Sequence, residues 1–201
     1  MSKAPDLSMF TKEEIKVTLD TVRHPVSIAI FGSSNYFNAA AIVRSAHQFL
    51  VQEIILVDCP DIYERATMGT HKWENITHMT LDEFCKRHSV WSSADNRSLV
   101  ICERRPDLDS ESLLYFSYPK NPILCFGSEK EGIPDELLAL AEQHRTLCPE
   151  WNSGQIVSIP QYGILNDLNL ANAASICLYD WIAKWYTGKV GLDHCGTQKG
   201  K

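Results

Sequence analysis

The sequence predicts an α/β domain built on a mainly parallel sheet with helices on both faces. Apolar runs of strand length recur along the chain, they are continuous rather than alternating, and amphipathic helical patterns lie between them. The strand-like runs are VSIAIF (26–31), EIILVD (53–58), SLVIC (98–102), PILCF (122–126) and IVSIP (156–160). A strand covered on both faces has no solvent side to mark with polar residues, so its sequence loses the two-residue alternation. Between these runs, residues 39–50 place Ile42, Val43, Ala46, Phe49 and Leu50 on one helical face. LDEFCKRH (81–88) and PDELLALAEQH (134–144) are shorter helical candidates, the second with Pro134 in its first turn. The last helix, 169–186, sets Leu170, Ala173, Ala174, Cys177, Leu178, Trp181, Ile182 and Trp185 at helical spacing. Beside them Ile176, Tyr179, Ala183 and Tyr186 form a second stripe, either buried within the monomer or covering a subunit contact.

With 201 residues the chain suits one sizeable core. Residues 1–24 read as an N-terminal tail and helix, 25–187 as the folded domain, and 188–201 as a flexible, Gly-containing C-terminal tail. The longest apolar runs are strand-length, which excludes a helical membrane span. The N-terminus has no apolar secretion signal or Arg-rich import pattern. Seven Cys, an odd count without ligand spacing, read as reduced core thiols of a cytoplasmic protein, with the nucleus as the alternative. A net charge of −6 excludes a nonspecific nucleic-acid coat but allows a local basic patch.

Three stretches carry chemistry. In NYFNAAAIVRSAHQF (35–49), Asn38 stands at an N-cap position and Arg44, off the apolar face, points to a cleft or solvent. In ILCFGSEKEGIPDELL (123–138), a strand ends at Gly127, Glu129 follows in a tight turn, and a helix begins near Pro134. In open α/β sheets this carboxyl edge is where ligands bind, and glycine lets a backbone approach one closely. The third, VSIPQYGILNDLNLANAASICLYDW (157–181), sets Asn166, Asp167, Asn169 and Asn172 between a strand and a helix. A plain connection needs one cap there, not four amide or carboxylate groups.

In order and separation, the three stretches resemble the SPOUT superfamily of RNA methyltransferases, in its SpoU/TrmH-type branch. The match is Asn38-x-x-Ala41-x-x-Arg44, then F-G-S-E-K-E-G-I-P, then I-P-Q-x-G-x-x-x-x-L-N-x-x-x-A, across residues 25 to 186. The resemblance implies a C-terminal deep trefoil knot, an exception to the usual avoidance of threading. It implies S-adenosylmethionine held by Gly127, Ser128, Ile159, Gly163 and Leu168, with Ile159 and Leu168 around the adenine. It also implies a homodimer joined through the last helix, and methyl transfer to a ribose 2′-hydroxyl of tRNA or rRNA. Arg44 then lies beside the target ribose. Asn38 and Glu129 organise the site, and Asn169 orients substrate or the cofactor loop. None of these roles needs a metal.

One position departs from the family pattern. Where a serine is usual, this chain has Asp167 before Leu168 and Asn169. Asp167 either pairs with Arg44 and accepts the hydroxyl proton, or ties up Arg44 and leaves a non-catalytic RNA-binding or assembly factor. Arg104 and Arg105, with Arg23, His24, His71 and Lys72 behind them, are candidates for the local positive charge that RNA requires.

Overall fold

The computed structural model describes residues 9–32, 35–94, 96–147, 154–164 and 168–187. Helix α1 (Lys12–Asp20) opens with a Thr11/Glu14 capping box and buries none of its residues. Strand β1 (His24–Phe31) leads to α2 (Tyr36–Gln48) and β2 (Val51–Val57). Two 3-10 turns, Glu64–Thr67 and Thr70–Lys72, precede β3 (Ile76–Met79) and α3 (Leu81–Ala94). The chain continues through β4 (Arg97–Cys102), the short β5 (Glu111–Ser112), β6 (Asn121–Phe126) and α4 (Asp135–Leu147). It closes with β7 (Gln155–Ser158) and α5 (Leu170–Tyr186).

These strands form one seven-stranded sheet, ordered β3-β2-β1-β6-β4-β7-β5, in which every pairing is parallel. Alternate residues of each strand feed two separate cores. Ile28, Ile30, Ile54, Leu56, Val100 and Leu124 face α2 and α5, whereas Ala29, Ile55, Leu99, Ile101 and Ile123 face Phe84 of α3 and Leu137 of α4. The predicted arrangement of helices on both faces is therefore observed, and the five predicted strands and four predicted helices appear near their expected places.

Helix α5 is fixed along its inner face. Trp181 and Trp185 are buried and lie edge-on to His24. Lys184, also buried, donates to the Leu113 carbonyl and pairs with Asp180 at 2.7 Å. Tyr118 donates to the same Asp180 carboxylate at 3.1 Å. The outer stripe stays open: Ile176, Tyr179 and Tyr186 are exposed, which removes burial within the monomer as its explanation. Among the described residues, no helix is long and apolar enough to cross a membrane. Residues 1–8 and 188–201, and with them most of the expected tails, lie outside the described residues.

Candidate active site

The carboxyl ends of β4, β6 and β7 surround a cavity of about 170 Å³. Gly127, Ser128, Ile159 and Leu168 line it, so four of the five residues expected at a cofactor meet there. Gly163 is exposed and does not line the cavity; Gln161, two residues earlier, does. Gly127 has a reason for being glycine other than approach to a ligand. A Cβ there would lie 2.0 Å from the Gly132 carbonyl carbon, because the loop folds back on itself. Ser128 and Gly132 exchange backbone hydrogen bonds at 3.2 and 2.9 Å, and Gly132 takes a left-handed φ of 70°.

Sequence reading missed Glu103 and Gln161 as contributors to this cavity, and it named Arg104, which also lines the cavity, only as an RNA-facing charge. Glu103 accepts from the Ile133 N–H at 3.2 Å and from the Arg104 N–H at 2.9 Å. Its own N–H donates to the Val157 carbonyl at 3.1 Å. One residue thus ties together the loops that follow β4 and β6 and the end of β7. No local pattern marks Glu103, since its role depends on three strands becoming neighbours.

A polar network stands beside the cavity. The Asn38 side-chain N–H donates to Glu129 Oε1, and Asn169 Nδ2 donates to Asn38 Oδ1 at 3.1 Å. Three site residues that are 91 and 131 positions apart are joined in this way. Asn38 is not the helix cap that its sequence position suggested. Helix α2 begins earlier, and Asn35 caps it by accepting from the N–H groups of Phe37 and Asn38. The cap at Asn35 leaves the Asn38 amide free for Glu129 and Asn169, and only 8% of Asn38 is exposed. Asn169 caps α5, its Oδ1 accepting from Ala171 N–H at 3.0 Å and Asn172 N–H at 3.3 Å.

Arg44 is exposed and lines a second groove, of about 530 Å³, between α2 and the start of α5. Asn172 and Ser175 form its far wall. Ser45 and Ser175 bond at 2.8 Å, so α2 and α5 approach closely where small residues face each other. Among the described residues Arg44 forms no ion pair. Asn166 and Asp167, the remaining members of the polar cluster, lie outside the described residues.

The candidate RNA-facing charges divide. Arg104 is exposed at the cavity mouth, whereas Arg105 pairs with Asp107 at 2.7 Å. Arg23 is structural, since its side chain is 4% exposed and bonds to Glu74 at 2.7 Å and Asp20 at 2.6 Å. His24 is taken up by the tryptophans of α5, and His71 bonds to Thr67. Lys72 remains exposed.

The family model of the SpoU rRNA Methylase family matches residues 25–179, a span that contains the cavity and both sides of the network. The chain belongs to this family. A tRNA (guanosine(18)-2'-O)-methyltransferase of Thermus thermophilus is 24% identical over 147 residues, covering 71% of this chain and 66% of the relative. The AdoMet-bound rRNA methyltransferase of Sinorhizobium meliloti is 26% identical with a TM-score of 0.63, covering 81% of this chain and 58% of that one. The A. aeolicus TrmH/SpoU tRNA modifying enzyme shares the fold, with a TM-score of 0.69 at 19% identity, over 94% of this chain and 88% of its own. The chain therefore spans just under two thirds of the Thermus relative and less of the Sinorhizobium one.

Proposed function

We propose that this SpoU-family chain transfers a methyl group from S-adenosylmethionine to a ribose 2′-hydroxyl of tRNA or rRNA. The observation that carries the reading is the Asn38–Glu129–Asn169 network, set between a cavity at the strand ends and a groove holding Arg44, which forms no ion pair among the described residues. The activity of the Thermus relative and the ligand of the Sinorhizobium structure support it.

The cavity residues fit this cofactor. Val157, Ile159 and Leu168 offer apolar surface to an adenine, and Glu103 and Glu129 set two carboxylates beside a ligand bearing positive charge. Gly127, Ser128, Ile159 and Leu168 would hold it, with Gly163 on the loop beyond. When bound, S-adenosylmethionine supplies an electrophilic methyl group on a sulfonium. The protein's part is alignment, which converts an encounter of two reactants into a step between neighbours. A guanidinium is a poor general base but a planar, bidentate hydrogen-bond donor, so Arg44 grips phosphate and polarises the hydroxyl. Asn38, held from both sides, fixes Glu129 relative to the start of α5. We assign the proton acceptor to Asp167 from its place in the sequence, two residues before Asn169. Replacing Asp167 with Ser should then shift the pH–rate profile, and an unaltered profile and rate would remove Asp167 from the chemistry.

Three further proposals accompany this reading. Strand β6 lies between β1 and β4, with β7 beyond β4, an order that supports a threaded C-terminal knot. The open stripe of α5 supports a homodimer. Free thiols at Cys102, Cys125 and Cys177 suit a cytoplasmic or nuclear setting. The deciding experiment incubates the protein with labelled S-adenosylmethionine and unmodified tRNA or rRNA, then identifies the product by nucleoside mass spectrometry. A 2′-O-methylated nucleoside is expected. A base-methylated product, or no incorporation, overturns the assignment.

A further inference from the structure

Phe37, Ala41, Arg44 and Gln48 recur at i, i+4, i+7 and i+11, and so occupy one stripe of α2. The last three line the groove that holds Arg44. Phe37 stands at the head of the same stripe with 65% of its surface exposed. It is not a stray ring. Tyr63, itself 42% exposed, lies edge-to-face against it with ring centroids 5.4 Å apart and planes at 63°. The pairing fixes Phe37 in place and leaves both rings open to solvent. Met68, beyond the same 3-10 turn, is 75% exposed and lines the groove as well. Exposed apolar surface is therefore concentrated along one edge of a polar groove, and it starts one residue before Asn38.

From Phe37 to Arg44 the helix rises about 10 Å. A single nucleotide spans such a distance, with its phosphate at one end and its base at the other. Resting on the reading of Arg44 as the phosphate-holding residue, we propose that Phe37 and Tyr63 form a stacking platform for an unpaired RNA base. The base belongs to the nucleotide whose phosphate Arg44 grips, and its ribose is thereby carried past Asn38. Every base has a π face, so such a platform holds RNA without reading its sequence. It also suits a chain of net charge −6, which has few phosphate contacts to offer, because stacking does not depend on counterion release.

The test uses the full chain with S-adenosylmethionine present and single-stranded oligoribonucleotides carrying a central 2-aminopurine, whose fluorescence is quenched on stacking. Wild-type protein should quench it. Phe37→Leu keeps an apolar side chain but has no π face; it should abolish quenching and weaken binding by about tenfold at both low and high salt. Phe37→Trp should retain both. Arg44→Ala should instead lower the slope of affinity against salt by about one contact. With an RNA that is methylated, Phe37→Leu should raise KM by about tenfold and leave kcat little changed. No quenching by wild-type protein, or wild-type affinity in Phe37→Leu, overturns the platform. Loss of dimer in Phe37→Leu and Phe37→Trp alike also overturns it, because the rings then belong to a contact between two copies. A wild-type chain that methylates no RNA overturns the proposed function instead, while Phe37→Leu working at wild-type KM overturns the platform alone.

Discussion

His88 is fully buried on α3, with its ring 4.4 Å from the ring of His144 and roughly parallel to that of Phe84. Neither ring nitrogen has a hydrogen-bond partner among the described residues. Burial, reinforced by His144, pushes its pKa down to about 3 from an ordinary 6.5. The sign of the linkage follows from which state binds the proton. Below the ordinary value the unfolded chain protonates this imidazole and the folded chain does not, so stability is complete above that value and declines beneath it. The decline is about 1.4 kcal/mol per pH unit for one such residue. His144, half-buried and also lowered by desolvation, adds to it in the same direction. Replacing His88 with Phe removes the larger contribution while keeping a planar ring beside Phe84. Thermal unfolding of this variant at about pH 5 should lie closer to its own value at about pH 7 than wild type does. An identical acid slope in the two proteins would place the proton uptake elsewhere.

Helix α5 shows how one residue serves stability and site at once. The Asn169 oxygen caps the helix, while its N–H group reaches Asn38. Asn169→Asp separates the two duties, because a carboxylate caps a helix N-terminus at least as well and has no N–H to donate. Its melting temperature should match wild type closely, whereas methyl transfer should fall by about a hundredfold as Asn38 loses its orientation. Asn169→Ala should lose both, with a stability cost of about 1 kcal/mol. Equal activity in Asn169→Asp would reduce Asn169 to a cap. Elements of this kind were legible in the sequence to the extent that their periodicity was strong. Strands β1, β2, β4 and β6 read as continuous apolar runs because helices cover both their faces. β3 (ITHM) and β5 (ES) escaped notice because sheet-edge strands are short and partly polar. α1 buries no residue and so writes little apolar pattern into its nine positions. At the site, Asn38, Glu129 and Asn169 were recognisable only through their ordered spacing. Asn35 and Asn38 are equally good caps by residue type, and the choice between them depends on where the turn after β1 ends. Glu103 gave no signal because its partners are set by strand order, not by its neighbours in the chain.

At the scale of the whole molecule, the two faces of α5 make opposite demands. Its inner face holds Trp181 at 0% exposure and the Lys184–Asp180 pair, so that face belongs to the core of the single chain. Its outer face leaves Ile176, Tyr179 and Tyr186 at 40, 66 and 59% exposure. These residues recur at i, i+3 and i+10 and form one strip along a helix about 25 Å long. An apolar strip about 15 Å long on a chain with net charge −6 fits a second copy, since like-charged rims are tolerated only where apolar area is buried between them. Tyr179→Glu introduces charge at the middle of the strip without touching the inner face. It should sediment as a folded monomer at concentrations where the proposed wild-type dimer forms. Wild-type melting temperature should also rise with protein concentration, because association draws only on the folded state, and that dependence should vanish in the variant. If wild type itself sediments as a monomer with a concentration-independent melting temperature, the strip does not join two copies, and the proposed dimer through α5 fails.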